Sequence, residues 1–406
     1  MTAFDRRDFL AGLSVALAGG PAFAAGKGSG EGPSIVQLPF ANGERPLVRY
    51  PQKRPLIRLT TRPPQLETPF PVFAEGAITP NDAFFVRYHF ADLPLDVDPV
   101  TFRLAIGGHV ERPVSLSLDD LRRRFPVREI VAVNQCSGNS RGFFDPRVGG
   151  GQLGHGAMGN ARWQGVALRD LLDHAGVRAG AAQVAFNGLD MPPAPTMPDF
   201  AKALDIDHAR DGEVLVAWGM NGADLPFLNG YPLRLVVPGY YGTYWIKHLS
   251  EITVLDTAFD GYWMKSAYRV PDNDCACVPP GGKPEKTRPI SRLTIRSFLT
   301  SHTEGARLPA GREVALKGIA FDGGPGISGV AVSTDGGASW QSAQLGADLG
   351  RYSFREWQLG VTLQPGEHRV MVRATGRGGE TQPLDPLWQP SGYMRNVVET
   401  TVVRVV

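Results

Sequence analysis

Glycine and proline interrupt this chain so often that long helices are excluded over most of its length. The sequence contains 49 glycines and 34 prolines among 406 residues. Glycine weakens helix interiors and proline removes a backbone donor from them, so both residues favour turns between short elements. Short apolar runs with strand-like patterns recur between these turns, together with a few short helical segments. We therefore predict an α+β chain with mixed sheets rather than a regular doubly wound fold.

Local signals predict where two of the short helices begin and end. Ser117 is an N-cap residue followed by Asp120 at the capping-box position, which predicts a helix start. A second helix is predicted over residues 168–175, closed by Gly176. Phe200 to Leu204 are predicted to form a helical turn.

The pattern of predicted secondary structure changes after the linker Pro279-Pro280-Gly281-Gly282. Short strand-like segments then alternate with turns rich in glycine and aspartate, a spacing typical of an immunoglobulin-like β-sandwich. We predict this sandwich over residues 284–406 and a mixed α+β domain over residues 76–283. Residues 25–75 are rich in proline and are predicted to form an extended arm along the surface.

The N-terminus has the pattern of an export signal. Arg6-Arg7 precede an apolar run, Ala11 to Ala18, and an Ala-x-Ala cleavage site ends at Ala24. We predict a twin-arginine signal peptide over residues 1–24 and a location in the periplasm. Because this route carries folded proteins, it also favours a cofactor inserted before export. The apolar run is too short to span a bilayer, so no membrane span is predicted.

One cysteine stands where chemistry is expected. The apolar run over residues 130–133 has the character of a buried strand, and the polar loop that follows it contains Cys136 and Arg141. A soft thiolate beside a fixed cation suggests a bound metal with an anionic substrate next to it. Free cysteines also fill space in protein cores, so the loop by itself leaves packing and function equally open.

The other two cysteines, Cys275 and Cys277, are separated by a single residue. We expect a disulfide between them to be strained. Free thiols or a bridge to a partner chain are therefore the predicted alternatives.

Common catalytic motifs are missing from the sequence. It contains no His-Glu-x-x-His, no Walker-type phosphate loop and no Gly-x-Gly-x-x-Gly opening a helix. Cys-x-x-Cys-His, the haem attachment motif, is also absent. The formal net charge of +2 gives no reason to expect nucleic acid or a membrane surface as a partner. Ordinary hydrolase and nicotinamide chemistry are therefore unsupported.

Three blocks in order along the chain resemble the sulfite oxidase family of molybdenum enzymes, and in particular the molybdenum subunit of periplasmic bacterial sulfite dehydrogenases. They are residues 85–89, residues 134–141, and the stretch from Met220 through Gly239 to Lys247. The resemblance covers roughly residues 75 to 406. It implies a molybdopterin-binding domain followed by an immunoglobulin-like sandwich of the dimerisation type.

The resemblance also implies a reaction. It implies oxidation of sulfite to sulfate by oxygen-atom transfer at Mo(VI), with a single molybdopterin and no haem in this chain. The electrons would pass singly to a cytochrome c, either a small c-type cytochrome subunit or a soluble cytochrome c. It leaves open whether the chain forms a homodimer or a heterodimer with a cytochrome.

Roles for individual residues follow from the same resemblance. Cys136 would supply the protein thiolate to molybdenum. Arg87 and Arg141 would line the anion pocket, where planar and permanently charged donors suit sulfite. Tyr268 would donate a hydrogen bond to the substrate or to an oxygen on the metal. The residues expected to hold the pterin and its phosphate are His89, Asp190, Arg234, Gly239, Gly242 and Lys247.

Two further positions bear on this comparison with the family. Asn229 stands where many relatives carry a pterin-contacting histidine. Arg395 lies in the region where vertebrate relatives carry one more pocket arginine.

Three alternatives remain beside sulfite oxidation. Methionine-sulfoxide reductases of the same superfamily are shorter and generally lack the sandwich, and assimilatory nitrate reductases are normally fused to haem and flavin modules. From a different class, the chain could be a secreted, non-enzymatic binding protein with an inert cysteine. Molybdenum analysis would separate this last alternative from the enzymes.

Overall fold

The computed structural model describes residues 34–406, in which short strands far outnumber helices. This composition confirms the α+β expectation. The predicted signal peptide lies outside the described residues. Within residues 34–406, no helix combines the length and apolar composition needed to cross a membrane.

The first sheet joins the N-terminal arm to the segment that carries Arg87. Its strands are antiparallel neighbours in chain order: β1 (Ile35–Gln37), β2 (Glu44–Val48), β3 (Leu56–Thr60), β4 (Gln65–Glu67) and β5 (Val86–Arg87). Gln65 pairs with Arg87, and Leu66 pairs with Val86. The arm is therefore a sheet that ends in a strand of the predicted site.

A second sheet has a mixed topology. Its order is β11 (Lys202–Asp205), β10 (Gln183–Gly188), β15 (Leu249–Leu255), β6 (Leu104–Gly108) and β7 (Val114–Leu116), and β15 and β6 run parallel. The helical turn predicted from Phe200 to Leu204 is wrong. Lys202 to Leu204 lie in β11, where Ala203 pairs with Ala185 in the antiparallel β10–β11 ladder.

The third sheet carries the cysteine loop. Its order is β13 (Ala223–Asp224), β12 (Leu215–Met220), β9 (Met158–Ala167) and β8 (Val127–Gln135), and β14 (Arg234–Val236) pairs with β12. Strand β8 contains the buried run predicted over residues 130–133 and ends at Gln135, so Cys136 is the first residue beyond it. A two-stranded ribbon, β16 (Arg269–Pro271) with β17 (Thr287–Pro289), follows along the chain.

The helices are short and lie between strands. They are α1 (Leu118–Arg124), α2 (Leu168–Ala175), α3 (Ile206–Ala209) and α4 (Tyr262–Lys265), with 3-10 turns at Phe70–Ala74, Arg141–Phe143, Phe227–Asn229 and Gly242–Tyr244. The capping box of α1 is present, since Ser117 and Asp120 bond each other's backbone N–H. Helix α2 ends at Gly176, which adopts a left-handed conformation at φ 73°.

The C-terminal residues form a β-sandwich, as predicted. One sheet has the order β18 (Arg296–Leu299), β20 (Glu313–Phe321), β24 (Arg355–Thr362) and β23 (Gln344–Leu345). The other has the order β19 (Arg307–Leu308), β26 (Thr400–Val405), β25 (Gly366–Gly376), β21 (Ile327–Ser333) and β22 (Gln341–Ser342). Trp357 is buried between them with aliphatic residues of both sheets.

The structure corrects the expectation for the paired cysteines. Cys275 and Cys277 form a disulfide, with their Cα atoms 5.1 Å apart. A tight turn brings them together, because Ala276 takes a left-handed backbone conformation at φ 48°. Asn273 fixes the turn, since its amide donates to the carbonyl of Cys277 and its side-chain oxygen accepts from the backbone N–H of that residue. Cys136 is left as the free cysteine.

Candidate active site

Eight of the ten predicted site residues line one cavity. They are Arg87, His89, Cys136, Asp190, Arg234, Gly242, Lys247 and Tyr268. These residues come from three of the sheets and the loops that follow them, so the fold brings distant parts of the chain to one place.

The loop that carries Cys136 is held by backbone and side-chain hydrogen bonds. The backbone N–H of Cys136 donates to the carbonyl of Ala157 at 2.9 Å, and the N–H of Asn139 donates to the carbonyl of Cys136 at 3.0 Å. The side-chain oxygen of Asn139 accepts from the N–H of Ala157 at 3.0 Å. This turn presents a partly exposed thiol to the cavity.

Cationic side chains dominate the cavity wall. Arg87, Arg234 and Lys247 face it, whereas Asp190 is the carboxyl group among the lining residues. Burial, with a smaller contribution from nearby Arg234, lowers the pKa of Lys247 to about 7 against the opposing effect of Asp190. Burial also lowers the pKa of Arg234 to about 10. A buried excess of positive charge is unfavourable until an anion enters, so the cavity is suited to an anionic ligand.

Specific contacts orient these cations. Nζ of Lys247 donates to the carbonyl of Arg87 at 2.7 Å and lies 4.2 Å from the ring centre of Tyr88. Nη1 of Arg234 donates to the carbonyl of Asn229 at 3.0 Å. The charged groups are thereby fixed before any ligand binds, which reduces the ordering cost of recognition.

His89 and Tyr268 form a hydrogen-bonded pair in the wall, with Nε2 and Oη 2.5 Å apart. Burial keeps the pKa of His89 well below its usual value, and Arg87, Lys247 and Lys202 add to the effect. Burial raises the pKa of Tyr268. The imidazole is therefore neutral and the phenol is protonated near neutral pH.

Tyr268 also has an unusual backbone conformation. Its φ of 55° lies in the left-handed region, which a residue with a large side chain seldom adopts. Such conformations cost on the order of 1–3 kcal/mol and cluster at functional sites, where the surrounding fold enforces them. With this backbone conformation, the phenol of Tyr268 contacts His89 in the cavity wall.

Several buried polar atoms around the cavity have no hydrogen-bond partner. They are both side-chain amide atoms of Asn134, Oγ of Ser137, Nε of Arg234 and Oγ1 of Thr243. Buried polar groups in folded proteins are almost always paired, so this cluster indicates a polar ligand that completes the wall.

The structure places two predicted residues outside this wall. Gly239 lies against the sandwich, where a Cβ would come within 2.4 Å of the carbonyl oxygen of Gly323. Its φ of 77° and this close approach explain the glycine without a phosphate contact. The guanidinium of Arg141 instead donates to the carbonyls of Ser391 and Gly151, at 3.1 and 3.2 Å.

Arg141 nevertheless connects to the cavity through an aromatic stack. Its guanidinium lies 5.1 Å from the ring centre of Tyr393. Tyr393 stacks on Tyr268, with ring centres 5.5 Å apart and an interplanar angle of 10°. Arg141 is therefore separated from the wall residue Tyr268 by the ring of Tyr393, which belongs to the C-terminal segment.

Arg395 has a different environment from that of a pocket arginine. Its guanidinium forms an ion pair with Glu399, with Nη2 and Oε2 3.0 Å apart, and donates to the carbonyl of Phe143 at 3.1 Å. Both contacts lie outside the residues that line the cavity.

Sequence reasoning missed several residues of the site. Asn134, Ser137 and Thr243 line the cavity within or beside the recognised blocks, and their polar character near Cys136 was the available signal. Tyr393, which stacks on Tyr268, lies far from those blocks in sequence, where no local pattern marks it.

Comparison with known proteins agrees with this geometry. Residues 90–263 match the family model described as an oxidoreductase molybdopterin binding domain, and residues 287–405 match a Mo-co oxidoreductase dimerisation domain. The chain is 34% identical to mitochondrial sulfite oxidase of Mus musculus over 394 residues, which covers 92% of this chain and 70% of that protein. It is 34% identical to sulfite oxidase of Gallus gallus over 371 residues, covering 87% and 79% of the two chains.

A solved structure shares the fold over nearly the whole chain. The sulfane dehydrogenase SoxCD from Paracoccus pantotrophus superimposes with a TM-score of 0.72 at 24% identity, covering 96% of this chain and 94% of that chain. At this identity the likeness establishes the architecture of a mixed domain followed by a sandwich.

The cavity fits a molybdenum–pterin cofactor. One free thiol faces the cavity, as a soft metal requires. The unpartnered polar atoms suit a polar heterocycle, and the buried cations suit a phosphate group. On these grounds Cys136 would hold the metal, and Arg234 and Lys247 would hold the anionic end of the pterin.

Proposed function

This chain belongs to the sulfite oxidase family, and on that premise we propose that it oxidises sulfite to sulfate and passes the electrons singly to a cytochrome c. The observation that carries the proposal is the convergence of the Cys136 thiol, the Arg87 guanidinium and the His89–Tyr268 pair on one cationic cavity. When bound, the molybdenum cofactor supplies two-electron oxygen-atom transfer chemistry, which is the difference between sulfite and sulfate.

The protein's own residues bind and orient the anion in this proposal. Arg87 offers a planar guanidinium, which pairs with the oxygens of sulfite in a fixed direction. In this proposal Nε2–H of the neutral His89 imidazole donates to Oη of Tyr268, which leaves the proton of the phenol to be donated to an oxygen of the substrate. Arg141 supports this arrangement from behind through Tyr393.

The atoms and electrons of the overall reaction balance with water and an acceptor. Sulfite gains one oxygen atom that water ultimately supplies, and water releases two protons. Two electrons leave, and two molecules of a one-electron carrier take them up. A cytochrome c is such a carrier, so it suits the acceptor role.

The position of Tyr268 favours a protein as the acceptor. A depression on the surface shares Tyr268 with the cavity and is also lined by Arg269, Ser391 and Tyr393. An acceptor docked in this depression would contact Tyr268, which also lines the cavity. We propose that a small c-type cytochrome subunit or a soluble cytochrome c binds there.

We also propose that the protein acts in the periplasm. Arg6-Arg7, the apolar run and the Ala-x-Ala site together support export of a folded, cofactor-loaded protein by the twin-arginine route. Sulfite dehydrogenase activity coupled to a cytochrome c fits that compartment.

Sulfite-dependent reduction of cytochrome c by the purified, cofactor-loaded protein tests the proposal. We expect sulfate to appear at one molecule per two reduced cytochromes, with methionine sulfoxide and nitrate failing to reoxidise the reduced enzyme. Molybdenum-loaded protein that leaves sulfite unchanged would refute it.

A further inference from the structure

Lys53 of the N-terminal arm is buried and contacts Asn229, which lines the cofactor cavity. Lys53 lies between β2 and β3, and only 4% of its surface is exposed. Its Nζ donates to the carbonyl of Asn81 at 2.6 Å, to the carbonyl of Phe84 at 3.0 Å and to Oδ1 of Asn229 at 2.5 Å. These three acceptors match the three donors of an ammonium group.

Lys53 is an ammonium group surrounded by neutral acceptors. Asp82, the nearby carboxylate, forms its ion pair with Arg54 instead, at 2.9 Å. Burial lowers the pKa of Lys53 to about 7, with Asp82 opposing this shift and the charge of Arg234 contributing to it. An anion in the cavity would offset the repulsion between Lys53 and Arg234.

Asn229 connects Lys53 to the cavity wall through hydrogen bonds. Because its Oδ1 faces the ammonium, its amide cannot turn over without pointing N–H donors at a cation. This fixes Nδ2 toward the carbonyl of Phe85, at 3.1 Å. The backbone carbonyl of Asn229 accepts from Arg234 at 3.0 Å, so the same residue orients a cofactor-facing arginine.

The segment that carries Arg87 is held by three successive contacts. Lys53 binds the carbonyl of Phe84, Asn229 binds the carbonyl of Phe85, and Lys247 binds the carbonyl of Arg87. Asn229 and Lys247 line the cavity, whereas Lys53 belongs to the arm. The arm therefore completes the support of a strand that forms part of the site.

We propose that Lys53 is a positioning residue of the cofactor pocket, and that docking of the arm and retention of the anionic cofactor reinforce each other through Asn229. If the cofactor binds better when the arm is docked, then the bound cofactor must favour the docked arm to the same degree. The matched molybdopterin-binding region begins at residue 90, so this contribution comes from outside it. The inference rests on the cofactor and is independent of the substrate.

Lys53→Met tests the proposal, with Arg54→Met as the matched control. The two residues are neighbours on one turn, but Arg54 forms ion pairs with Glu75 and Asp82 at the partly exposed surface. After transfer of the holoenzyme to cofactor-free buffer, we expect Lys53→Met to release pterin, measured by its fluorescence after oxidation, about tenfold faster than wild type. This is the usual effect of losing one hydrogen bond to a charged group. Arg54→Met should release it at the wild-type rate, and equal release from Lys53→Met and wild type would overturn the proposal.

A double variant tests whether Lys53 acts through its neighbour. Lys53→Met combined with Asn229→Leu should release pterin little faster than Asn229→Leu alone, because both substitutions remove the same Lys53–Asn229 hydrogen bond. If the increase in the pterin release rate of the double variant equals the product of the two single increases, Lys53 and Asn229 act independently and the proposal is contradicted.

Limited proteolysis of the wild-type chain keeps the proposal testable if the variants fail to fold. We expect cleavage between residues 35 and 67 to be several-fold slower in cofactor-loaded protein than in full-length protein made without pterin synthesis. Equal cleavage rates would overturn the coupling. Neither measurement uses sulfite, so an error about the substrate would leave both results unaffected.

Discussion

Nε2 of His89 and Oη of Tyr268 lie 2.5 Å apart in the cavity wall. Burial and three cations keep the pKa of the imidazole well below its usual value, and burial raises the pKa of the phenol. Both groups therefore keep one protonation state across the neutral range. The pair orients a hydrogen-bond donor, and titration of either ring is not part of its action.

Removing the phenol should reduce the rate without emptying the site. Tyr268→Phe keeps the ring stacked on Tyr393 but loses the donor and its bond to His89. We expect kcat/KM for sulfite to fall roughly 100- to 1,000-fold, in the range for one positioned donor in a buried site. In steady-state assays between pH 6 and 9, the dependence of kcat/KM on pH should keep its wild-type shape at lower values. A shifted pH profile would contradict the fixed protonation states.

Arg87 is expected to act mainly on substrate binding. Arg87→Met removes the guanidinium from the cavity while keeping an unbranched side chain. We expect the KM for sulfite to rise roughly tenfold or more, because a charge-assisted contact to the anion is lost. Molybdenum content should stay at the wild-type value, and an unchanged KM would remove Arg87 from the substrate pocket.

Glu67 should make stability depend on pH. Its carboxyl is 1% exposed, and burial raises its pKa to about 7, against 4.5 in the unfolded chain. Between these two values the folded state binds more protons than the unfolded state, so stability falls as the pH rises from about 4.5 through 7. Glu67→Gln mimics the protonated carboxyl and should be more stable than wild type at pH 8, by up to about 3 kcal/mol.

Thermal midpoints measured from pH 4.5 to 8.5 check this prediction. The two proteins should melt at similar temperatures near pH 4.5, diverge as the pH rises from there to about 7, and differ by a constant amount at higher pH. Glu44→Gln, at an exposed position on β2, serves as the control and should follow wild type. Parallel curves for Glu67→Gln and wild type would contradict a buried, titrating carboxyl.

A buried cluster of charges joins the sandwich to the cysteine loop. Arg296 is fully buried and contacts Glu399 at 3.2 Å, while Arg395 contacts the same carboxylate at 3.0 Å. The two arginines also bind Oγ of Ser140 and the carbonyl of Phe143, on either side of Arg141. Glu399→Gln should leave these cations uncompensated and destabilise the protein by about 3 kcal/mol or more.

Calorimetry or a thermal shift assay measures this effect. Asp224→Asn, which breaks the exposed pair with Arg122, is a suitable control and should change stability by less than about 1 kcal/mol. Equal effects of the two substitutions would show that the Glu399 cluster behaves as a surface pair.

Much of the fold was predictable because local signals agreed with the tertiary structure. The capping box at Ser117, the glycine that ends α2 and the strand before Cys136 are all encoded within a few neighbouring residues. The sandwich strands were predictable for the same reason, since their turns are marked by glycine and aspartate.

The remaining features depend on contacts between distant parts of the chain. Within the predicted helical turn from Phe200 to Leu204, no local strand pattern is present, and Lys202 to Leu204 join β11 by pairing with β10. Lys53 stands in a proline-rich segment where a lysine would ordinarily be solvated, and its burial follows from the fold of the arm. Gly239 looked like part of a phosphate loop, but its neighbour is Gly323 of the sandwich.

Cys136→Ser provides the most direct test of the central claim that this thiol is the centre of sulfite oxidation. The variant and wild type should be compared for circular dichroism, pterin content and sulfite-dependent reduction of cytochrome c. We expect a folded protein that has lost the activity, because an alcohol is a poor substitute for a soft thiolate ligand. Full sulfite oxidation by Cys136→Ser would contradict the assignment.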